Sequence, residues 1–494
     1  MDPQTASRRA WLWPAALFIY VAAFYARTAL FHDGLFERDG YYHARLAFLL
    51  PERWFSRSFP WTQLSTWRDG YCDKEIGYHL LMMPFARLAP TPLSGALLLS
   101  VLLATLVVAA LFRVLRARRV PWPAFFAALP LATGGLFVAR LGMIRSHVLS
   151  MLLLMLGLPL LLERRWRAAL LLGLACAWCY TFPFVLAMTA AALALGVWAG
   201  KGGLDWRTPL AAAAGAALGL ALNPYAPQTL ENLLATVQIF LQGNAGARAS
   251  GLELGNEIYR YPLRVFFNIY PLLIAAMAAL LLATGRWWRQ ITAEGKGAVA
   301  ACTFWFGMAV AAPRFTEYAV PLLALAAGLL TRDLWRGWSA LPLPRWSAVA
   351  VSLALLAGFH ARSVGFYLAY HREAAPPRRF DGAAAWMAQN LAPGETVINL
   401  YWDDFPELFY SGERQHYLWG LDPTYSLRFD SRRTMLLEQL RNRQRPLQGK
   451  VLAEAFGART LALRAARARR YPELGQPPFR EVYRDSGAVL YRIE

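Results

Sequence analysis

Ionisable side chains gather at a few points along an otherwise apolar chain, and each group suits a particular chemistry. The stretch Glu37-Arg38-Asp39-Gly40-Tyr41-Tyr42-His43-Ala44-Arg45 brings together two carboxylates, two phenols and an imidazole. Asp39 suits a base or a ligand for a divalent ion, and Tyr42 and His43 suit contacts to a polar substrate. The other reading is a solvated loop whose tyrosines anchor at a membrane interface. Asp73-Lys74-Glu75 sets two hard oxygen donors around a cation, fit for a divalent ion and a phosphate, or for a carboxylate pair at a helix N-terminus. Arg140, Arg145 and Arg314 are candidates for gripping phosphate oxygens bidentately, with snorkelling anchors as the alternative. His147 follows Arg145 by two positions, on the same face. Glu253 stands one helical turn before Glu257 in a glycine-rich stretch, and Trp402-Asp403-Asp404 follows a predicted strand, a common position for a functional loop in α/β domains.

Composition decides what must position these groups. Of 494 residues, 57% are apolar and 17% charged, against about 45–50% and about 25% in ordinary soluble domains. The 51 Lys+Arg against 31 Asp+Glu give a net charge of +20. Many of these arginines lie between apolar runs long enough to cross a bilayer, which argues against nucleic acid as a partner. Four cysteines are too few for a disulfide-stapled secreted domain. Cys176 and Cys179 lie inside an apolar run and are read as packing residues.

The apolar runs predict about eleven transmembrane helices. They fall near 11–31, 93–112, 122–138, 148–162, 168–180, 183–199, 209–222, 265–282, 298–311, 318–330 and 348–367. Clusters such as Arg113/Arg116/Arg118/Arg119 and Arg164/Arg165/Arg167 occupy alternate connections, which predicts a cytoplasmic N-terminus. Three pieces then lie outside: loop 32–91, loop 223–263 and the tail 369–494. Within the loops, 76–85 and 227–241 read as interfacial helices. The tail alternates short apolar strands at 396–400, 460–463 and 488–491 with helical stretches at 381–390 and 432–443, an α/β pattern. The expected organisation is a transmembrane unit, 1–368, carrying both loops, and an extracytoplasmic α/β domain, 369–494.

Taken in order, these segments resemble the membrane-embedded C-type (GT-C) glycosyltransferases, and among them the catalytic subunit of oligosaccharyltransferases. In that family a D-x-Y-Y-H-x-R-like segment after the first span carries a metal-binding Asp, and Asp39-Gly40-Tyr41-Tyr42-His43-Ala44-Arg45 is similar to it. An R-F-T-x-Y-A-x-P segment supplies an Arg to the lipid phosphate; Arg314-Phe315-Thr316-Glu317-Tyr318-Ala319-Val320-Pro321 is similar. Tyr401-Trp402-Asp403-Asp404-Phe405 resembles the W-W-D-Y-G signature that opens the external domain. The layout covers most of the chain, the specific residues only these three stretches. Where the family has a second acidic metal motif after the third span, this chain has Arg145-Ser146-His147, and the loop glutamate motif is matched only loosely, by Glu253. Asp404 and Phe405 replace the last two residues of the signature, so asparagine is not implied as the acceptor.

The resemblance implies a polytopic α-helical enzyme of the plasma (inner) membrane. It would move a sugar or oligosaccharide from a polyprenyl-phosphate-type carrier to an acceptor, whether glycan, lipid or protein, at the external face. Asp39, Asp73, Glu75 and Glu253 are the expected catalytic carboxylates. Tyr42, His43, Arg140, Arg145, Arg314, Trp402, Asp403 and Asp404 are the expected substrate contacts. Asp39 and His147 would hold a divalent metal, Mg2+ or Mn2+, where one is used. The competing reading is a transporter or flippase of lipid-linked saccharides. Transporters place binding groups near the bilayer midplane and commonly show repeats; here the ionisable groups gather at span ends.

Overall fold

The computed structural model describes residues 3–30, 34–35, 37–249, 260–335, 345–374 and 378–494. The apolar runs fold as helices: α1 (Pro3–Leu30), α2 (Asp39–Leu49), α3 (Trp67–Gly70), α4 (Ile76–Leu88), α5 (Pro92–Ala117), α6 (Pro123–Ala128), α7 (Gly135–Leu141), α8 (Ser146–Leu162) and α9 (Trp166–Cys179). They continue through α10 (Val185–Ala199), α11 (Arg207–Ala221), α12 (Gln228–Ala249), α13 (Leu263–Ile269), α14 (Pro271–Arg286), α15 (Ala293–Ala311), α16 (Thr316–Leu334) and α17 (Arg345–Ala374). Most of α16 is buried, and with α8 and α15 it forms the middle of the helical core. Inside that core the indole N–H of Trp305 donates to Thr189 Oγ1 at 2.9 Å, so a buried polar edge keeps a partner. Helices α9 and α11 cross closely because Gly215 faces the Leu170 carbonyl, and a Cβ there would lie 1.9 Å from it.

Among the described residues, three segments can cross a membrane alone by length and composition: Leu12–Ala29, Pro92–Ala117 and Ala350–Ala369. Two bent pairs bring the number to five, with angles of 103° between Pro123–Ala132 and Gly135–Leu141 and 95° between Leu263–Ile269 and Pro271–Arg286. The expectation of about eleven spans therefore meets three to five that are long and apolar enough among the described residues, the other apolar helices being shorter. Helices of 14 to 17 residues, such as α8, α9 and α10, rise only ~21–26 Å against a hydrocarbon core of ~30 Å. Both segments expected to form interfacial helices are helical, as α4 and α12.

The tail contains α18 (Asp381–Asn390), β1 (Thr396–Asn399), α19 (Phe405–Ser411), β2 (His416–Tyr417), α20 (Pro423–Phe429), α21 (Ser431–Arg441), β3 (Thr460–Arg464), β4 (Phe479–Arg484) and β5 (Ala488–Ile493). Its sheet has the order β2-β1-β3-β5-β4, with β1 parallel to β2 and β3 and with β5 antiparallel to β3 and β4. The first loop extends this sheet. Thr62 bridges Tyr417 in parallel fashion, the amides of Gln63 and Leu64 donate to the carbonyls of Tyr417 and Leu418 at 2.8 and 2.7 Å, and Tyr417 donates to the Trp61 carbonyl at 2.9 Å. The two pieces also share one apolar core, in which Tyr42, Leu46, Phe59 and Trp61 meet Phe405, Phe409 and Tyr417.

Candidate active site

Asp39 opens α2, and its setting is built by its neighbours. Glu37 caps the helix, accepting from the backbone amides of Asp39 at 2.9 Å and Gly40 at 3.2 Å. Arg145, the extended residue that precedes α8, reaches both acids: its Nε donates to Glu37 Oε1 at 2.9 Å and its Nη2 donates to Asp39 Oδ2. The two segments approach closely, since a Cβ on Gly40 would lie 3.1 Å from the Ile144 Cβ. Beside Glu37 runs a narrow cleft of about 40 Å3, lined in part by Tyr25, Thr28, Leu35, Leu97 and Ile144.

One turn along α2 from Asp39, His43 begins a buried chain of titratable groups. His43 Nδ1 lies 2.8 Å from His79 Nε2, and His79 Nδ1 lies 2.7 Å from Asp73 Oδ2. A carboxylate only accepts, so Asp73 accepts a hydrogen bond from His79 Nδ1–H and orients that imidazole. Burial, with His79, Arg145 and Lys74 adding to it, pushes the His43 imidazole well below its ordinary range. Burial acts the same way on His79, but Asp73 outweighs it and raises that imidazole. Glu75 stands 3.9 Å from His43 and accepts from the Thr181 hydroxyl at 2.6 Å. Burial opposes its charge, yet His43, Lys74 and Thr181 prevail and hold its carboxyl at about 2. Tyr42, also expected here, pairs with the Tyr71 hydroxyl at 2.9 Å.

The remaining basic residues divide. Arg140 is buried and gives its Nε to Glu317 at 2.6 Å. His147 lies on the same carboxylate at 3.8 Å and on the Arg140 carbonyl at 2.9 Å. Arg314, in the turn before α16, donates to the Tyr180 hydroxyl at 3.2 Å. In the tail, Arg467 grips Asp403 Oδ2 at 2.8 Å and Asp404 Oδ1 at 2.9 Å, Arg464 contacts both acids, and Arg38 contacts Asp403. Burial opposes the charge on Asp403, but Arg467, Arg464 and Arg38 hold its carboxyl well below the usual range. At Asp404 burial prevails over the same arginines and raises it. Trp402 opens this short turn with its indole N–H buried and unpaired. Glu253 lies outside the described residues.

Asp39, Glu37, Arg145 and Arg38 thus meet at the start of α2, next to the Asp73–His79–His43 chain, and Asp403 joins them through Arg38. Arg140 and His147 form a separate group around Glu317. Sequence reasoning assigned no role to His79, Arg464 or Arg467, and counted Glu37 only among the carboxylates of its segment. His79 and Glu317 carried a usable signal: each is a polar residue inside an apolar helical run, which burial makes costly without a partner. A divalent ion does not fit the expected ligands. Both carboxylates at the start of α2 are engaged by a guanidinium, His147 is turned onto Arg140 and Glu317, and no group of three or more His, Cys, Asp or Glu suited to a metal occurs among the described residues.

The chain matches no protein-family model and no curated protein. Solved structures do match it. The Archaeoglobus fulgidus oligosaccharyltransferase aligns over 98% of this chain and 74% of its own, at 13% identity and a TM-score of 0.63. The mycobacterial arabinofuranosyltransferase AftD aligns over 98% of this chain and 40% of its own, at 17% identity and 0.56. ArnT from Cupriavidus metallidurans, solved with undecaprenyl phosphate, aligns over 97% of each chain, at 15% identity and 0.51. The archaeal enzyme has been solved with an inhibitory peptide and a dolichol-phosphate, and with Zn and sulfate. These neighbours are all C-type membrane glycosyltransferases, and at such identities the likeness is one of fold.

Proposed function

We propose, on the premise that the chain has the fold of the C-type membrane glycosyltransferases, that it transfers a sugar or oligosaccharide from a polyprenyl-phosphate-type carrier to an acceptor at the external membrane face. The observation that carries this reading is the meeting of Asp39 with Arg145 beside the Asp73–His79–His43 chain, at the ends of apolar helices and against the tail. Two of the neighbours hold a lipid carrier phosphate. In the reaction, the acceptor oxygen bonds to the anomeric carbon while the bond from that carbon to the phosphate oxygen breaks. The phosphate leaves with the bonding electrons, and the acceptor's proton goes to a base. Asp39 is the base in this reading, with His43 at its side and the His79–Asp73 pair behind it. Arg314 takes the charge of the departing phosphate. Arg140 braces the site through Glu317. Glu75 sets the charge around His43, and Glu253 is assigned to the acceptor side. Tyr42 shapes the wall behind His43.

In the same reading the helical unit 1–368 crosses the plasma membrane about eleven times with a cytoplasmic N-terminus, and the tail 369–494, with Trp402, Asp403 and Asp404 near its contact with α2, covers the acceptor's approach. The test is a strain lacking this protein. Its polyprenyl-phosphate-linked sugars, measured by mass spectrometry, are expected to accumulate. Wild type restores them to the parental level, and Asp39→Asn, present in the membrane in equal amount, does not. An unchanged lipid-linked pool, or full restoration by Asp39→Asn, overturns the reading.

A further inference from the structure

We infer that the guanidinium of Arg145 is the resident cation of the Asp39 site, binding Glu37 and Asp39 together as a divalent ion would and leaving the site independent of free metal. The two acids are separated by one residue and would repel each other if left alone. Arg145 contacts each with a different nitrogen, Nε on Glu37 at 2.9 Å and Nη2 on Asp39. A planar fork with fixed donors is suited to two carboxylates at once, which an ammonium is not.

The backbone places this cation. Glu37 is fixed by the amides of Asp39 and Gly40. Arg145 is extended, with φ −144° and ψ 150°, immediately before α8. Ile144 packs so closely on α2 that a Cβ on Gly40 would meet Leu35 Cδ1 at 2.7 Å and Ile144 Cβ at 3.1 Å. The arginine is therefore delivered from a close contact between α2 and the bend that leads into α8. His147, two positions beyond Arg145, serves the Arg140–Glu317 pair instead, so it does not join the two acids. A divalent ion approaching them would meet a fixed positive charge already bonded to both, and like charges at such range repel strongly.

The inference deepens the proposed transfer, on which it rests for its role, but its test uses neither donor nor acceptor. The full chain, purified in detergent, is titrated with Mn2+ and the free ion is followed by electron paramagnetic resonance. Wild type is expected to show no stoichiometric site. Arg145→Glu, which puts a third carboxylate beside the first two, is expected to gain one and to bind Mn2+ roughly tenfold or more tightly than wild type. Should the charge-reversed chain not elute as a single species, Arg145→Gln replaces it, with a smaller gain expected. One Mn2+ bound per wild-type chain and lost in Asp39→Asn overturns the inference. So does a folded Arg145 variant that binds no better than wild type. Because the readout is metal binding, a chain that transfers no sugar but behaves in this way would refute the proposed transfer and leave the arginine's place intact.

Discussion

Glu75 is mostly buried, and its charge is kept by His43, Lys74 and the Thr181 hydroxyl, which hold its carboxyl at about 2 against an ordinary 4.5. A carboxyl depressed in the folded chain contributes stability that is fully present above its unfolded value and is lost as the pH falls toward its folded one. The acid limb of unfolding between pH 4.5 and 2 should therefore be steep in wild type. Glu75→Gln should flatten that limb and lower stability at neutral pH by on the order of 3 kcal/mol. Urea unfolding in detergent at a series of pH values measures both, and an unchanged limb would mean that Glu75 is not held charged by these partners. Residue types were legible in the sequence, whereas partnerships were not. Asp39 and Arg145 are 106 positions apart, and nothing local says that the arginine expected on a phosphate closes on the acid expected on a metal. Asp403 stands likewise among Arg38, Arg464 and Arg467, three residues brought to it from two distant segments.

Helices were largely legible, since apolar runs of the right period specify them without knowledge of their neighbours. Their bends were not, because the breaks at 103° and 95° depend on what each half packs against. The stretch from Glu37 to Arg45 also admitted a solvated loop, yet from Asp39 it is a helix buried in part by α19, which lies hundreds of residues onward and leaves no mark on the local pattern. In the tail, the strands with apolar runs were evident. Two-residue β2 was too short to register, and β4, Phe-Arg-Glu-Val-Tyr-Arg, is a polar edge with no apolar run. A consequence at this scale concerns α9 and α11. Gly215→Val would drive a side chain into the Leu170 carbonyl, where even a Cβ lies at 1.9 Å. The helices must separate, at ~1–3 kcal/mol or more. A drop in melting temperature with the Asp39 site undisturbed is expected; an unchanged melting temperature would show that the crossing has slack.

The molecule as a whole is joined through its first loop. The tail was expected to stand as a domain of its own, and its sheet and helices do form, but Phe59 and Trp61 of the loop lie in one core with Phe405 and Phe409 of the tail, and Arg45 donates to the Tyr410 carbonyl at 3.0 Å. A chain ending at His371 should consequently lose more than the tail. Phe59, Trp61 and Leu46 would be uncovered, and limited proteolysis should cut within 53–75, where the full chain resists, while gel filtration shows aggregation. A protected loop in the shortened chain would mean that the membrane helices alone order it. The joint also imposes an order on biogenesis. Trp61 donates to the carbonyl of Glu413, 352 residues later, and at ~5–20 residues per second of synthesis roughly 20–70 s pass between the two emerging. Throughout that interval the aromatic face of the loop lacks the cover that Phe405 and Phe409 supply. A nascent molecule that stalls before its last hundred residues therefore presents the cell's folding and degradation machinery with a recognisable, unfinished surface.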